Sequence, residues 1–163
     1  DSIIGRHAQS DIVSRMTTVF EREKADIVVC FEEVPAEEVV QYGIAKPKGA
    51  VGEVFELADL IEKPSVGEAP SRLAVAARYV FSPEIFDALA ETKPGKGGEI
   101  QLTDAIRILL KRGRKGIGVK LAANEQRFDI GNFESYFQAF IEFALHDPQY
   151  GPALREHVKR LIG

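Results

Sequence analysis

The stretch Tyr42–Pro64, YGIAKPKGAVGEVFELADLIEKP, limits the possible folds more than any other part of the chain. It reads as two strands joined by a turn of Gly, Pro and Lys, with Gly49 and Gly52 in the bend. A parallel crossover takes about a dozen residues or more, so a connection this short makes the two strands antiparallel.

Elsewhere strands and helices alternate. SDIVSRMTTVFEREKA reads as an amphipathic helix, with Ser10 as its N-cap and Ile12, Met16, Val19 and Phe20 on one face. DIVVCFEEV is a β-branched run suited to a buried strand, and PAEEVV is long enough for one helical turn. SRLAVAARYVFS reads as a further strand. SPEIFDALAET reads as a helix with Ser82 as cap and Pro83 at its first position. The glycine-rich loop KPGKGGEIQ leads into a helix, LTDAIRILLKRG, that Gly113 closes. KGIGVKLAA is a short strand, RFDIGN a turn, and NFESYFQAFIEFALHD and GPALREHVKRLI are helices. Interleaving of this kind predicts an α/β fold with a mixed sheet, and 163 residues predict one domain.

The formal net charge of −4 argues against nucleic acid or an anionic membrane as the main partner. No run is long and apolar enough to span a bilayer, and no signal peptide opens the sequence, so the cytoplasm is the expected compartment. The single cysteine, Cys30, lies in the apolar run IVVCF and is expected to be a buried small hydrophobe.

Four places have the residue types that chemistry needs. Gly43, after Tyr42 at a strand start, either lets another group approach the backbone or only marks a bend. Glu62–Lys63–Pro64 ends a strand with an acid beside a base, and Pro64 is expected to hold Lys63 extended. The pair suits sugar hydroxyls at Glu62 and a phosphate at Lys63, or it is a solvated surface ion pair. The glycines of GKGGEIQLTDAI suggest a phosphate cradle at a helix start, with Thr103 and Asp104 as plain caps in the other reading. Asp129, in RFDIGN, offers a carboxylate to a hard cation, or closes an Asx-turn.

The order YGI, EKP, APSRLAVAARYVFSPEIF, GGEIQLTDAI, RFDIGN resembles the later part of the bacterial UTP–glucose-1-phosphate uridylyltransferases (UDP-glucose pyrophosphorylases). The resemblance implies a three-layer α/β/α, GT-A-like nucleotidyltransferase fold, here truncated. It implies an enzyme that joins UTP and glucose 1-phosphate into UDP-glucose and pyrophosphate with Mg²⁺. A sibling thymidylyltransferase and a non-catalytic sugar-phosphate-binding module are the rival readings. By the same resemblance Tyr42 and Gly43 line the sugar, with the Gly43 backbone against it. Glu62 binds glucose hydroxyls, Lys63 binds the sugar phosphate, and Asp1 and Asp129 hold the metal. The family's nucleotide loop with Gly-Thr-Arg has no counterpart, so the chain is expected to be a C-terminal portion, inactive alone. Arg72 and Ala77 stand where the family pattern leads one to expect Asn and Gly. A homo-oligomer is expected by analogy.

Overall fold

Five consecutive residues of one strand, Ile27 to Phe31, are fully buried, and the larger part of the molecule is arranged around them. The computed structural model describes residues 2–5, 10–95 and 98–163. In order, the elements are β1 (Ser2–Gly5), α1 (Ile12–Glu23), β2 (Ile27–Glu33), a 3₁₀ turn (Ala36–Gln41), β3 (Gly43–Pro47), β4 (Val54–Glu62), β5 (Leu73–Phe81), α2 (Ile85–Glu91), α3 (Leu102–Lys111), β6 (Gly116–Lys120), β7 (Gln126–Asp129), α4 (Phe133–His146) and α5 (Gly151–Ile162). They fall into two compact units, one made of Ile12–Leu121 and the other of Asp1–Asp11 with Ala122–Gly163.

In the first unit the strands run in the order β2-β5-β3-β4-β6, and β6 returns to β2, so the sheet closes on itself. The β2–β6 pair is parallel and the others are antiparallel, which is the mixed sheet expected. β2 buries both faces because each is covered. Ile27, Val29 and Phe31 pack with Leu57 and Leu60 of β4 and with Ile85, Ala88, Ala105, Ile106 and Leu109 of α2 and α3. α1 packs against β2 and β5 and buries Ile12, Met16 and Val19. Side chains of this size each contribute about 1.5–3 kcal/mol when fully buried. Cys30 is fully buried, as expected.

The helix ends follow from local chemistry. At the end of α3, Gly113 adopts φ +77°, its N–H donates to the Leu110 carbonyl, and the Arg114 N–H donates to the Leu109 carbonyl. These two bonds form a Schellman closure, for which glycine is the residue without a Cβ penalty. Two expected caps are not caps. The Ser10 hydroxyl donates to the Glu125 carboxylate two residues before α1 begins. At α2 the Ser82 carbonyl, rather than its hydroxyl, accepts from the Ile85 N–H, because the chain first passes through a turn before Ile85.

In the second unit β1 and β7 form an antiparallel pair with Ser2 opposite Asp129. RFDIGN is therefore a strand end followed by a turn, rather than a turn throughout. The short strand SIIG was not distinguished in the sequence. Phe128 of β7 meets Phe143 of α4 edge-on at 5.3 Å. α4 is capped by Asn132, whose side chain accepts from the Ser135 N–H at 3.0 Å. Its face bearing Phe133, Phe137 and Phe140 is exposed. Among the described residues no helix is long and apolar enough to cross a membrane.

The β2–β5 ladder breaks once. Val29 faces Tyr79 and Phe31 faces Val75, so residues 76–78 lie opposite Cys30 alone. At the centre of this bulge the exposed Ala77 takes φ +58°. An L-residue there costs roughly 1–2 kcal/mol, against about 0.5–1 kcal/mol for the extra chain entropy of glycine. Ala77→Gly should therefore stabilise the protein by about 0.5–1 kcal/mol. Denaturant unfolding should show a higher midpoint at constant slope, and a lower midpoint would contradict this account of the bulge.

Candidate functional site

The β3–β4 register sets Gly43 directly opposite Glu62. Gly43 has no positive φ, so its value here is space rather than conformational freedom. A Cβ at this position would lie 3.2 Å from Glu62 Oε2, 3.3 Å from Val75 Cγ2 and 3.5 Å from Thr103 Oγ1. Glycine thus leaves room for a carboxylate, a hydroxyl and an aliphatic wall to converge on one point.

Glu62 is held from the α3 side. The Thr103 hydroxyl donates to its Oε2 at 2.6 Å. Thr103 is nearly buried and sits in the first turn of α3, where the sequence suggested a cap. Gln101 occupies the cap position, and no side-chain bond closes it. One turn further on, Arg107 Nε donates to Asp59 Oδ1 of β4 at 3.1 Å. Tyr79, on β5, lies within electrostatic reach of the Glu62 carboxylate. Burial, reinforced by the negative charge of Glu62, raises its phenol pKa to about 12.

Lys63 departs from expectation. Pro64 was expected to keep it extended, yet it takes φ +44°. Its N–H makes the last bond of the hairpin, to the Tyr42 carbonyl at 2.9 Å, and the chain then turns sharply while Pro64 is buried. The left-handed conformation costs roughly 1–2 kcal/mol and swings the exposed side chain out of the pleat. Glu62 and Lys63 do not pair with each other, which removes the plain ion-pair reading of EKP. The loop beyond closes locally, with the Ser65 hydroxyl donating to Glu68 at 2.5 Å. Tyr42 packs with Val34, Val39, Ile44 and Ala74. Tyr42, Gly43, Glu62 and Lys63 thus meet at one end of one hairpin.

Lys96 and Gly97, in the middle of the expected glycine cradle, lie outside the described residues. The Gly95 N–H donates to the Glu99 carbonyl and the Gly98 N–H to the Gly95 carbonyl, so these amides are used within the loop. Arg72, where the pattern led to Asn, bonds Glu33 of β2. Ala77, where it led to Gly, holds the glycine-like φ described above.

Asp129 belongs to the other unit and is exposed. Its Oδ1 accepts from the Gly131 N–H at 2.9 Å, the Asx-turn that was one of its two readings. Such a turn fixes the carboxylate and leaves its second oxygen as a hard donor, which suits Mg²⁺, a cation usually bound by one or two carboxylates with waters and phosphates. Among the described residues no three His, Cys, Asp or Glu side chains form a metal cluster. Asp1, the other expected ligand, lies outside the described residues.

Residues 3–144 match the family described as nucleotidyl transferase. The chain is 38% identical over 128 residues to the UTP–glucose-1-phosphate uridylyltransferase of Pseudomonas aeruginosa, covering 78% of this chain and 44% of that one. It is 36% identical over 149 residues to the enzyme of the same name from Staphylococcus epidermidis, covering 91% and 50%. Among solved structures it is similar to a UDP-glucose pyrophosphorylase complexed with UDP-glucose, at TM-score 0.75 and 38% identity, over 85% of this chain and 51% of that one. It is also similar to a UTP-bound UGPase from Acinetobacter baumannii, at TM-score 0.83 and 30% identity, over 98% and 54%. The chain spans about half the length of the curated relatives it matches.

Two outcomes follow from the geometry. Gly43→Ala brings a methyl to 3.2 Å from Glu62 Oε2 and 3.3 Å from Val75 Cγ2, so both side chains must give by a few tenths of an ångström, and it should destabilise the protein by about 1 kcal/mol, the low end for overpacking. An unchanged unfolding midpoint would contradict the close approach. The Tyr79 phenol, with its folded pKa raised from 10.0 to about 12, adds stability that is complete below pH 10 and is lost as pH rises to about 12. Tyr79→Phe should remove that step from the pH dependence of unfolding, and a variant that keeps it would refute the assignment.

Proposed function

Because the chain belongs to the nucleotidyl transferase family, we propose that it carries the sugar-phosphate half of a uridylyltransferase site, in a protein that makes UDP-glucose and pyrophosphate from UTP and glucose 1-phosphate. The observation that carries this reading is the convergence of Gly43, Glu62 and Lys63 at one hairpin end, with the acid held by Thr103 and not by the neighbouring base. The names of the relatives supply the nucleotide and the sugar.

In this reading Glu62 accepts hydrogen bonds from glucose hydroxyls, and the backbone at Tyr42–Gly43 lies against the ring. Lys63 meets the phosphate of glucose 1-phosphate as a point charge. A phosphate oxygen of the sugar attacks the α-phosphorus of UTP in line. The new P–O bond forms as the bond to the β-phosphate oxygen breaks, and pyrophosphate leaves with that electron pair. No side chain is covalently modified; orientation and charge neutralisation lower the barrier. The two substrates are both anions, so the Lys63 ammonium offsets their repulsion. Asp129 would hold Mg²⁺, together with Asp1, and the cation supplies positive charge to the phosphates when bound. The cytoplasm and a homo-oligomeric state, with neither nucleic acid nor membrane as partner, complete the proposal.

The test uses the complete gene product. Lys63→Ala should weaken glucose 1-phosphate binding roughly tenfold to a hundredfold, the range of a charge-assisted bond, and leave UTP binding nearly unchanged. Asp129→Asn should lower pyrophosphate release steeply and regain part of it at high Mg²⁺. Near-normal kinetics of both variants at limiting glucose 1-phosphate and limiting Mg²⁺ would show the roles to be wrongly assigned.

A further inference from the structure

Thr103 makes a contact that a helix cap does not need. Its hydroxyl crosses from α3 to β4 and ends on Glu62 Oε2 at 2.6 Å. The docking of α3 does not depend on that bond. Ala105, Ile106 and Leu109 lie in the core, and Arg107 separately ties the helix to Asp59 at 3.1 Å. The helix start does not depend on it either, since the cap position is Gln101. What the bond does is fix a carboxylate. A glutamate at a strand end has three rotatable torsions, and only one of its oxygens is tied here. Gly43 keeps the space beside that oxygen clear, with its absent Cβ 3.2 Å from Oε2 and 3.5 Å from Thr103 Oγ1.

We infer that Thr103 is a positioning residue for sugar recognition: by occupying Oε2 it presents Oε1 of Glu62, in one orientation, to the hydroxyls of the bound sugar. This deepens the proposed role of Glu62 and rests on it. A carboxylate with one oxygen anchored loses less rotamer freedom on binding, so preorganisation appears as affinity. A valine at this place has nearly the same shape and no donor.

The experiment measures glucose 1-phosphate binding by calorimetry in the complete gene product, for Thr103→Val, Thr103→Ser, Glu62→Ala and the double variant Thr103→Val/Glu62→Ala, with thermal melting of each. Thr103→Val should weaken binding roughly tenfold, the loss of one charge-assisted bond after partial relaxation. Thr103→Ser, which keeps the hydroxyl, should stay within about threefold of the parent, and Thr103→Val should have no added effect once Glu62 is alanine. If Glu62→Ala weakens binding but Thr103→Val does not, the positioning role is overturned and the reading of Glu62 stands. If Glu62→Ala leaves binding unchanged, the reading of Glu62 falls and the inference falls with it. Equal losses from Thr103→Val in both backgrounds would show a structural role only, and would also overturn it. Should Thr103→Val not fold, Thr103→Ala against Thr103→Ser carries the same comparison.

Discussion

The antiparallel register that sets Gly43 against Glu62 is the constraint on which this end of the sheet depends. With the two residues facing each other, the last bond at this end of the hairpin runs from the Lys63 N–H to the Tyr42 carbonyl. That bond ends the ladder and starts the turn that places the Lys63 ammonium outside the pleat. The same register brings Oε2 of Glu62 over the missing Cβ of Gly43, where a hydroxyl from α3 reaches it. A shift of one residue would turn Glu62 to the opposite face and away from Thr103. Leu60, two residues earlier on the same strand, is fully buried against the core, and this burial pins the register.

The elements were legible because hydrophobic period and β-branched content mark them without help from distant residues. DIVVCFEEV became the doubly buried β2, and YGIAK with EVFELADLIE became the β3–β4 hairpin. Gly113 closed α3 because a positive φ after a helix has a local sequence cause. The parts that were not legible are long-range. The closure of the sheet needs β6 to pair with both β2 and β4, and nothing in KGIGVK announces two partners. SIIG is too short to stand apart until β7 lies beside it. Ser10 and Ser82 look like caps by position, but Ser10 was drawn to Glu125, and the turn at Ser82 leaves its hydroxyl without the capping role.

At the candidate site the residue types were legible and their geometry was not. An acid beside a base before proline can be read from EKP, but the rule that proline extends its predecessor fails at Lys63. The hairpin bond and the burial of Pro64 override that local preference. Thr103 could be noticed only as a helix-start residue, since its partner is 41 positions away in sequence. The sequence signals that did reach the geometry were the close approach at Gly43, the Asx-turn at Asp129, and Ala77, flagged by the family pattern as a glycine position and found at φ +58°.

That bulge explains how β5 serves two walls. Residues 76–78 facing a single Cys30 insert two extra residues into the ladder. An even excess preserves the alternation of side chains, whereas an odd one would reverse it. Leu73 and Val75 before the bulge, and Tyr79 and Phe81 after it, therefore stay on the face that packs with Phe31 and Leu60. The bend lets β5 leave β3 after the single pairing of Ile44 with Ala74 and continue along β2. Val75 reaches the Gly43 side, and Tyr79 comes within the field of Glu62.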